Sequence, residues 1–340
     1  MRQVWIPKAG PPRVLALREE RDPFPGEGLL RIRVAAAGVN FADVMGRMGL
    51  YPDLPPMPVV PGYEVAGRVD AVGEGVGTDW IGRDVLALTR FGGYSDVVCV
   101  PERQVFPRPG SMSAEEGAAL PVNYLTAWQL VVVMGGLRPG ETMLVHSAGG
   151  GVGIAAIQLA KKIGARVFGT ASTAKHDYLK SIGVDACIDY RTEDFEQRTL
   201  ALTGGRGVEL VLDAVGGKSF AKSFRALAPS GRLGMFGLSA AAPGKRRSLL
   251  RAGLAAARVP VLRFRPTRLI DQNKGVFGVN LGHMWDEAER ISGWMDQLVA
   301  LYREGAIRPV VAATFPLEQA AEAHQFIQDR KNVGKVLLVP

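Results

Sequence analysis

A run of glycines between a strand-like segment and a helix-like segment constrains this chain most. Residues 142–147 form a short apolar strand pattern, and a helical pattern extends from about Val152 to Ile163. Between them lies Ser147-Ala148-Gly149-Gly150-Gly151-Val152-Gly153. Glycines let the backbone approach a pyrophosphate, and a helix N-terminus offers free N–H groups and partial positive charge. Glycines also suit a plain tight turn, but the context predicts a dinucleotide site formed by Gly150, Gly151, Val152 and Gly153.

Alternating strands and helices continue on the C-terminal side of this loop. Strand patterns recur at 166–170, 186–189, 208–213 and 232–236, with helical patterns of about ten residues between them. Such alternation predicts βαβ units around a parallel sheet. Residues 1–122 instead contain short strand patterns separated by Gly- and Pro-rich turns, which predicts a β-rich region. We expect an α/β protein of two domains, in keeping with 340 residues.

The end of the second strand predicts which dinucleotide is bound. An NAD site normally places Asp or Glu there to bind the ribose hydroxyls. Here the strand runs into Ser172, Thr173 and Lys175 with no acid, and Tyr190 follows the third strand. Two hydroxyls and a lysine suit a 2′-phosphate, so Ser172, Lys175 and Tyr190 are predicted to bind NADPH rather than NADH. The alternative is that Lys175 is simply a solvated lysine in the first turn of a helix.

Composition excludes several other classes of protein. Two cysteines, Cys99 and Cys187, are too few for a disulfide framework, which is typical of a reducing cytoplasm. The four histidines and two cysteines show no metal-binding spacing. No stretch of 18 apolar residues and no signal peptide are visible, so we expect a cytoplasmic protein.

The net charge of +8 is concentrated in one segment. Residues 241–270 contain eight Lys and Arg residues and no Asp or Glu, so the rest of the chain is neutral. A nucleic-acid-binding protein would spread basic charge over a face, and we predict no nucleic-acid partner. Apolar residues between the arginines leave three interpretations of this basic segment open: a membrane-surface contact, which we do not favour, a lid, or a dimer contact.

Several motifs resemble one family. The residues 140–153, with Gln158 and Lys161, are similar to the motif of the zinc-free quinone oxidoreductase (zeta-crystallin) family, which belongs to the medium-chain dehydrogenase/reductase superfamily. The runs 38–43, 62–67 and 120–127 fit the same superfamily. The basic segment and the ending 331–340 resemble the vesicle amine transport protein-like branch, and residues 168–175 resemble enoyl reductase domains of polyketide synthases.

The resemblance implies the domain organisation and the oligomeric state. A GroES-like β-rich catalytic domain would comprise residues 1–122 and 272–340, and a Rossmann domain that binds NADPH would comprise residues 123–271. The resemblance also implies a homodimer.

The resemblance further implies that no metal takes part. The positions that hold catalytic zinc in related enzymes carry Asn40, Tyr63 and a residue near Asn123, which are poor zinc ligands. A metal-free reductase must stabilise developing negative charge with hydrogen-bond donors. We therefore assign Tyr51 and Asn40 as candidate catalytic residues, with Tyr51 or water as the proton donor. Tyr51 could instead be a packing residue, and Asn40 could only cap the helix that begins at Phe41.

Further contacts to the cofactor follow from the resemblance alone. Thr126 would face the pyrophosphate, and Phe236 and Gly237 would border the nicotinamide ribose. Asn40 and Arg330 would also reach the cofactor, with Lys335 competing for the role of Arg330. The implied function is hydride transfer from NADPH to a quinone or an α,β-unsaturated carbonyl compound. Two alternatives remain: an enoyl-thioester reductase, and an NADPH-binding protein with a membrane-surface or scaffold role.

Overall fold

The computed structural model describes residues 1–239 and 264–340. Most of the basic segment lies outside these residues. The strands of the described residues are β1 (Arg2–Trp5), β2 (Ala16–Glu19), β3 (Leu29–Val39), β4 (Glu64–Val72), β5 (Asp84–Leu88), β6 (Val97–Pro101), β7 (Val105–Pro107), β8 (Thr142–Val145), β9 (Arg166–Ala171), β10 (Ala186–Asp189), β11 (Val208–Asp213), β12 (Leu227–Met235), β13 (Gly275–Gly278), β14 (Val311–Pro316) and β15 (Lys335–Val339).

The helices of the described residues are mostly short. They are α1 (Phe41–Arg47), α2 (Ala114–Ala119), α3 (Pro121–Trp128), α4 (Gly151–Ile163), α5 (His176–Ser181), α6 (Phe195–Leu202), α7 (Lys218–Arg225), α8 (Pro266–Gln272), α9 (Ala288–Arg303) and α10 (Ala320–Gln328). The helix after β10 begins only at Phe195. The reason is that the carboxylate of Asp194 accepts a hydrogen bond from the backbone N–H of Glu196 and so caps α6.

The chain divides into two compact units. Residues 1–125 and 281–340 belong to the first unit, and residues 126–239 and 264–280 belong to the second. The first unit has a seven-stranded sheet in the order β14-β15-β3-β4-β5-β7, with β6 paired to β3, and a separate β1-β2 pair. Strands from both ends of the chain therefore share one mainly antiparallel sheet. Its core is aliphatic, with Leu30, Ile32, Val65 and Leu338 fully buried.

The second unit is a doubly wound parallel sheet. Its six strands follow the order β10-β9-β8-β11-β12-β13, which is the strand order of a Rossmann fold. All neighbouring pairs are parallel, and a core that includes Leu144, Phe168, Ile188 and Val211 is buried against the helices. The α/β fold class expected from the sequence is confirmed.

The borders of the two units differ from the sequence-based domain boundaries by a few residues. α3 crosses the first border, which lies between Leu125 and Thr126 rather than after residue 122. The second border lies after Asn280 rather than after residue 271. The reason is that β13 pairs with β12 and extends the parallel sheet by one strand.

Candidate functional site

The carboxyl ends of the parallel strands bring most of the predicted nucleotide-binding residues of the second unit to one edge. The glycine loop follows β8, Ser172 follows β9, Tyr190 follows β10 and Phe236 follows β12. In open α/β sheets, ligands bind outside the carboxyl ends of the strands. The sheet topology therefore gathers these residues, as a dinucleotide site requires.

Close packing explains why the loop after β8 requires glycine. A Cβ at Gly153 would stand 2.5 Å from the carbonyl oxygen of Ser147 and 2.7 Å from that of Ala148. Ser147 itself has a positive φ of 55°, and its carbonyl accepts a hydrogen bond from Gly150. The loop therefore folds tightly over the start of α4, where the first N–H groups of the helix have no intrahelical partner.

Lys175 lies beside this loop. A Cβ at Gly149 would stand 2.8 Å from Cδ of Lys175 and 3.7 Å from its Nζ. The structure thus places the side chain of Lys175 beside the glycine loop, in a half-buried position. Ser172 is buried and Tyr190 is 38% exposed. Thr173, the other hydroxyl of this segment, donates to the carboxylate of Asp189 and is engaged there.

A buried hydrogen-bond chain, which the sequence does not reveal, links three of these strand ends. The ring of His146 contacts the Thr170 hydroxyl through Nδ1 and the Ser223 hydroxyl through Nε2, each at 3.0 Å. Ser223 donates to Asp213 at 2.7 Å. Asp213 also accepts from the backbone N–H of Val215 at 2.7 Å, in the loop before α7. His146 is therefore a buried histidine with both ring nitrogens hydrogen-bonded, and burial lowers its pKa.

Asn40 in the first unit lies at the start of α1 and does more than cap it. Its backbone N–H donates to the carboxylate of Asp43 at 2.7 Å, and its backbone carbonyl accepts from the N–H of Asp43 at 3.1 Å, so Asn40 and Asp43 form the cap together. Its side chain points elsewhere: Oδ1 accepts from Lys335 at 2.6 Å, and Nδ2 donates to Glu64 at 3.0 Å. Glu64 and Lys335 also form an ion pair, and both are almost fully buried.

Aromatic rings surround the other candidate donors of the first unit. Tyr51 and Tyr63 are edge-to-face with ring centroids 6.3 Å apart, and Phe91 lies 5.1 Å from Tyr63. Burial raises the pKa of Tyr63 above its usual range, so it stays protonated. Asn123 in α3 is buried, and its amide donates to the carbonyl of Ala119 at the end of α2.

The carboxylate of Asp43 connects the start of α1 to the loop before β4 in the first unit. Its carboxylate accepts from the backbone N–H of Asn40, from the backbone N–H of Gly62, which precedes Tyr63, and from the Tyr94 hydroxyl. Tyr94 in turn contacts Nε2 of His324 at 2.9 Å. Complete burial raises the pKa of Asp43 to about 7 despite these donors. No sequence motif indicated this cluster, because its members are far apart in the chain; Tyr94 and His324 alone are separated by 230 positions.

The remaining predicted cofactor residues are divided between the units. Thr126 in α3 is buried and belongs to the second unit, as do Phe236 and Gly237. The backbone N–H of Phe236 donates to the backbone carbonyl of Asp213, so the ends of β12 and β11 lie side by side. Arg330 and Lys335 belong to the first unit, with Arg330 in a positive-φ conformation directly after α10. Lys335 is only 3% exposed, so its ammonium is committed to Asn40 and Glu64.

The donor set around Asn40 does not fit a zinc ion. The Asn40 amide is a poor zinc ligand, and the nearby carboxylate of Glu64 is paired with an ammonium group. Within residues 1–239 and 264–340, no group of three or more His, Cys, Asp or Glu side chains could hold a metal. Across the same ranges, none of the helices has the length and apolar character needed to cross a membrane.

Comparisons with known proteins agree with the fold. A model described as alcohol dehydrogenase GroES-like domain matches residues 26–110, and one described as zinc-binding dehydrogenase matches residues 182–338. The synaptic vesicle membrane protein VAT-1 homolog of Mus musculus is 44% identical over 321 residues, which is 94% of this chain and 78% of that protein.

Two solved structures are similar over their whole length. A mycobacterial protein complexed with NADPH has a TM-score of 0.87 and 32% identity, with 100% of both chains covered. A quinone oxidoreductase of Pseudomonas syringae has a TM-score of 0.85 and 31% identity, covering 100% of this chain and 99% of that one. The chain therefore belongs to the medium-chain dehydrogenase/reductase superfamily of oxidoreductases, and within it to the branch of the VAT-1 homologues. The recognition made from the motifs is confirmed.

Proposed function

We propose that this protein is an NADPH-dependent, metal-independent reductase of quinones or α,β-unsaturated carbonyl compounds. The observation that carries the proposal is Lys175 beside a glycine loop at the carboxyl edge of a parallel sheet, with no acid at the end of β9. The NADPH complex of the mycobacterial relative and the activity in the name of the Pseudomonas relative support it.

The second unit offers the groups that would bind NADPH. The loop Gly150–Gly153 and the N–H groups of Gly151, Val152 and Gly153 at the start of α4 suit a pyrophosphate, because the first N–H groups of a helix have no intrahelical acceptor and lie at its positive end. Lys175, Ser172 and Tyr190 would bind the 2′-phosphate. Thr126, Phe236 and Gly237 remain proposed contacts to the rest of the cofactor, as does Arg330.

When bound, NADPH supplies a hydride from C4 to the β-carbon of an enone or to a quinone. The electron pair of the reduced double bond then moves to the carbonyl oxygen, which becomes an enolate or phenolate. Asn40 would donate a hydrogen bond to such an oxygen, and Tyr51 or water would supply the proton that completes the reduction. These donors replace a metal ion as the groups that stabilise the negative charge.

An enoyl thioester carries the same conjugated carbonyl group, so an enoyl-thioester reductase is the second candidate and differs only in the acceptor. A membrane-surface or scaffold role would depend on the basic segment. Of that segment, only residues 264–270 are described. Cytoplasmic location and homodimer formation also stay predictions. The edge strand β13, paired on one side to β12, is compatible with a dimer contact.

The proposal is tested by NADPH and NADH oxidation with 1,2- and 1,4-quinones, alkyl enones and an enoyl-CoA, each with EDTA present. We expect turnover with NADPH in preference to NADH and no effect of EDTA. Preference for the enoyl-CoA would select the second candidate. Tight NADPH binding without turnover on any acceptor would refute the reductase. Liposome co-sedimentation that falls with salt would then support a membrane-surface role.

A further inference from the structure

Sheet register brings three distant residues to one end of β3. Asn40 directly follows β3, Glu64 is the first residue of β4 and Lys335 is the first residue of β15. Because β3 is antiparallel to both β4 and β15, the start of each partner strand lies beside the end of β3. Asn40 and Lys335 are 295 positions apart in the chain, yet their side chains are in direct contact.

The hydrogen bonds fix which way the Asn40 amide faces. The ammonium of Lys335, which only donates, lies 2.6 Å from Oδ1, and a carboxylate oxygen of Glu64, which only accepts, lies 3.0 Å from Nδ2. A flipped amide would place NH₂ against the ammonium and oxygen against the carboxylate. Both contacts would then be repulsive, so only the observed orientation is stable.

Glu64 is itself held firmly. Its second oxygen accepts the backbone N–H of Val122, in the first turn of α3, at 2.7 Å. Its carboxyl group also packs on Gly38, where a Cβ would stand 2.5 Å from Oε1. Glu64 is fully buried and Lys335 is 3% exposed. The pair is therefore desolvated, and neither partner can be moved without leaving the other charge buried.

We propose that Lys335 and Glu64 are positioning residues that lock the Asn40 amide with one N–H directed at a ligand. This inference rests on the proposed function, in which Asn40 is a hydrogen-bond donor. The amide has two N–H groups, and one is used by Glu64. Asn40 is only half-buried, so the second N–H can meet a ligand. Lys335 is then assigned to the protein rather than to the cofactor.

The second N–H of the Asn40 amide determines the class of ligand that it could bind. The second N–H of Asn40 requires an acceptor oxygen, which is either the carbonyl oxygen of the quinone or enone or the carboxamide oxygen of NADPH. The two sources are separable by experiment. A carbonyl substrate predicts loss of acceptor kcat/KM with an unchanged Kd for NADPH. A cofactor contact predicts a raised Kd for NADPH measured without acceptor.

The lock is tested first by NMR, without any assumption about turnover. Protein labelled with ¹⁵N-asparagine gives a side-chain NH₂ pair for Asn40, assigned by its disappearance in Asn40→Asp. We expect this pair to shift strongly or broaden in the double variant Lys335→Met/Glu64→Gln. In that variant the new amide at position 64 can donate as well as accept, so the Asn40 amide is no longer held in one orientation. An Asn40 pair unchanged in the double variant overturns the lock.

Kinetics then test what the lock does. The single variant Lys335→Met leaves the Glu64 carboxylate buried without its ion-pair partner, and we expect it to be unstable. The double variant buries no unpaired charge, so its Tm should return towards that of the wild type. Its kcat/KM for the acceptor, or its affinity for NADPH, should still fall roughly 10- to 100-fold. Lys331→Met, an exposed lysine close by, serves as the control and should match the wild type.

Two outcomes separate this inference from the proposed function. If wild-type protein turns over no acceptor, the proposed function fails, while the NMR comparison still decides whether the amide is locked. If wild-type protein is active and the folded double variant keeps wild-type kcat/KM and wild-type Kd for NADPH, Lys335 and Glu64 only stabilise the fold and the inference is wrong.

Discussion

The side chain of Lys175 lies across Gly149, with its Cδ 2.8 Å and its Nζ 3.7 Å from where a Cβ on that glycine would be. The contact joins the start of α5 to the loop after β8, two segments that belong to successive βα units of the sheet. An ammonium at this place favours a ligand with an additional phosphate.

Replacing Lys175 by Met should therefore change the choice of cofactor. The variant loses one charge-assisted hydrogen bond to a phosphate, a contact worth about 1.5–3 kcal/mol. We expect the Kd for NADPH to rise at least tenfold and the Kd for NADH to change little, measured by nucleotide fluorescence. Lys180→Met, on the exposed side of the same helix, is the matched control. An equal rise in Kd for both nucleotides would show that Lys175 does not contact the 2′-phosphate.

Two glycines of the loop should respond differently to alanine. A Cβ at Gly153 meets two backbone carbonyls at 2.5 and 2.7 Å, so Gly153→Ala must distort the loop. We expect a loss of stability of about 1–3 kcal/mol together with weak NADPH binding. A Cβ at Gly149 meets only the flexible Lys175 chain, so Gly149→Ala should keep the wild-type Tm and weaken NADPH binding alone. Thermal unfolding and nucleotide titration of both variants check this contrast.

Within the buried hydrogen-bond chain at the strand ends, substitution of Asp213 should reduce the stability of the protein most. Its two oxygens accept from two backbone N–H groups and from the Ser219 and Ser223 hydroxyls, and it is fully buried. Asp213→Ala leaves these donors without an acceptor and should destabilise the protein by about 3–5 kcal/mol. Ser219→Ala, at a half-buried position where water can replace the hydroxyl, should cost far less. Comparable losses in denaturant unfolding would argue against this role of Asp213.

The free energy of unfolding at acidic pH should depend on His324. Burial and the adjacent Arg47 guanidinium lower its pKa to about 3, against an ordinary value near 6.5. The unfolded chain therefore binds a proton that the folded chain excludes between these values. The contribution of neutral His324 to the free energy of unfolding is complete above pH 6.5. It is lost as the pH falls towards 3, by at most about 1.4 kcal/mol per pH unit.

The comparison with His324→Gln isolates this effect. Asp43, whose raised pKa acts in the opposite direction, is present in both proteins. We expect wild type to lose free energy of unfolding relative to the variant between pH 6.5 and pH 4. A constant difference between the two proteins over this range would mean that His324 does not titrate as described.

The sequence predicts best where the chemistry is local. The glycine loop, Lys175 and the alternation of strands and helices all lie within short segments, so the parallel sheet and its binding edge could be expected. The order of the strands within the first unit could not, because β15 pairs with β3 across the length of the chain.

Contacts between distant residues explain what the sequence alone missed. Lys335 was expected to reach the cofactor, but its position opposite the end of β3 commits it to Asn40 and Glu64. The interpretation of Asn40 as a simple helix cap is likewise incomplete, since its backbone pairs with Asp43 at the cap while its side chain contacts Lys335 and Glu64. Burial of Asp43 and Asp213 depends on packing that no local pattern encodes.

Transfer of deuterium tests the central claim most directly. The enzyme is incubated with NADPH deuterated at C4 on the transferred face and with the best acceptor of the enone panel, in ordinary water with EDTA. We predict a product with one deuterium at the β-carbon and a proton from solvent at the α-carbon, formed at an undiminished rate in EDTA. A product without deuterium, or a reaction stopped by the chelator, would contradict a metal-independent hydride transfer from NADPH.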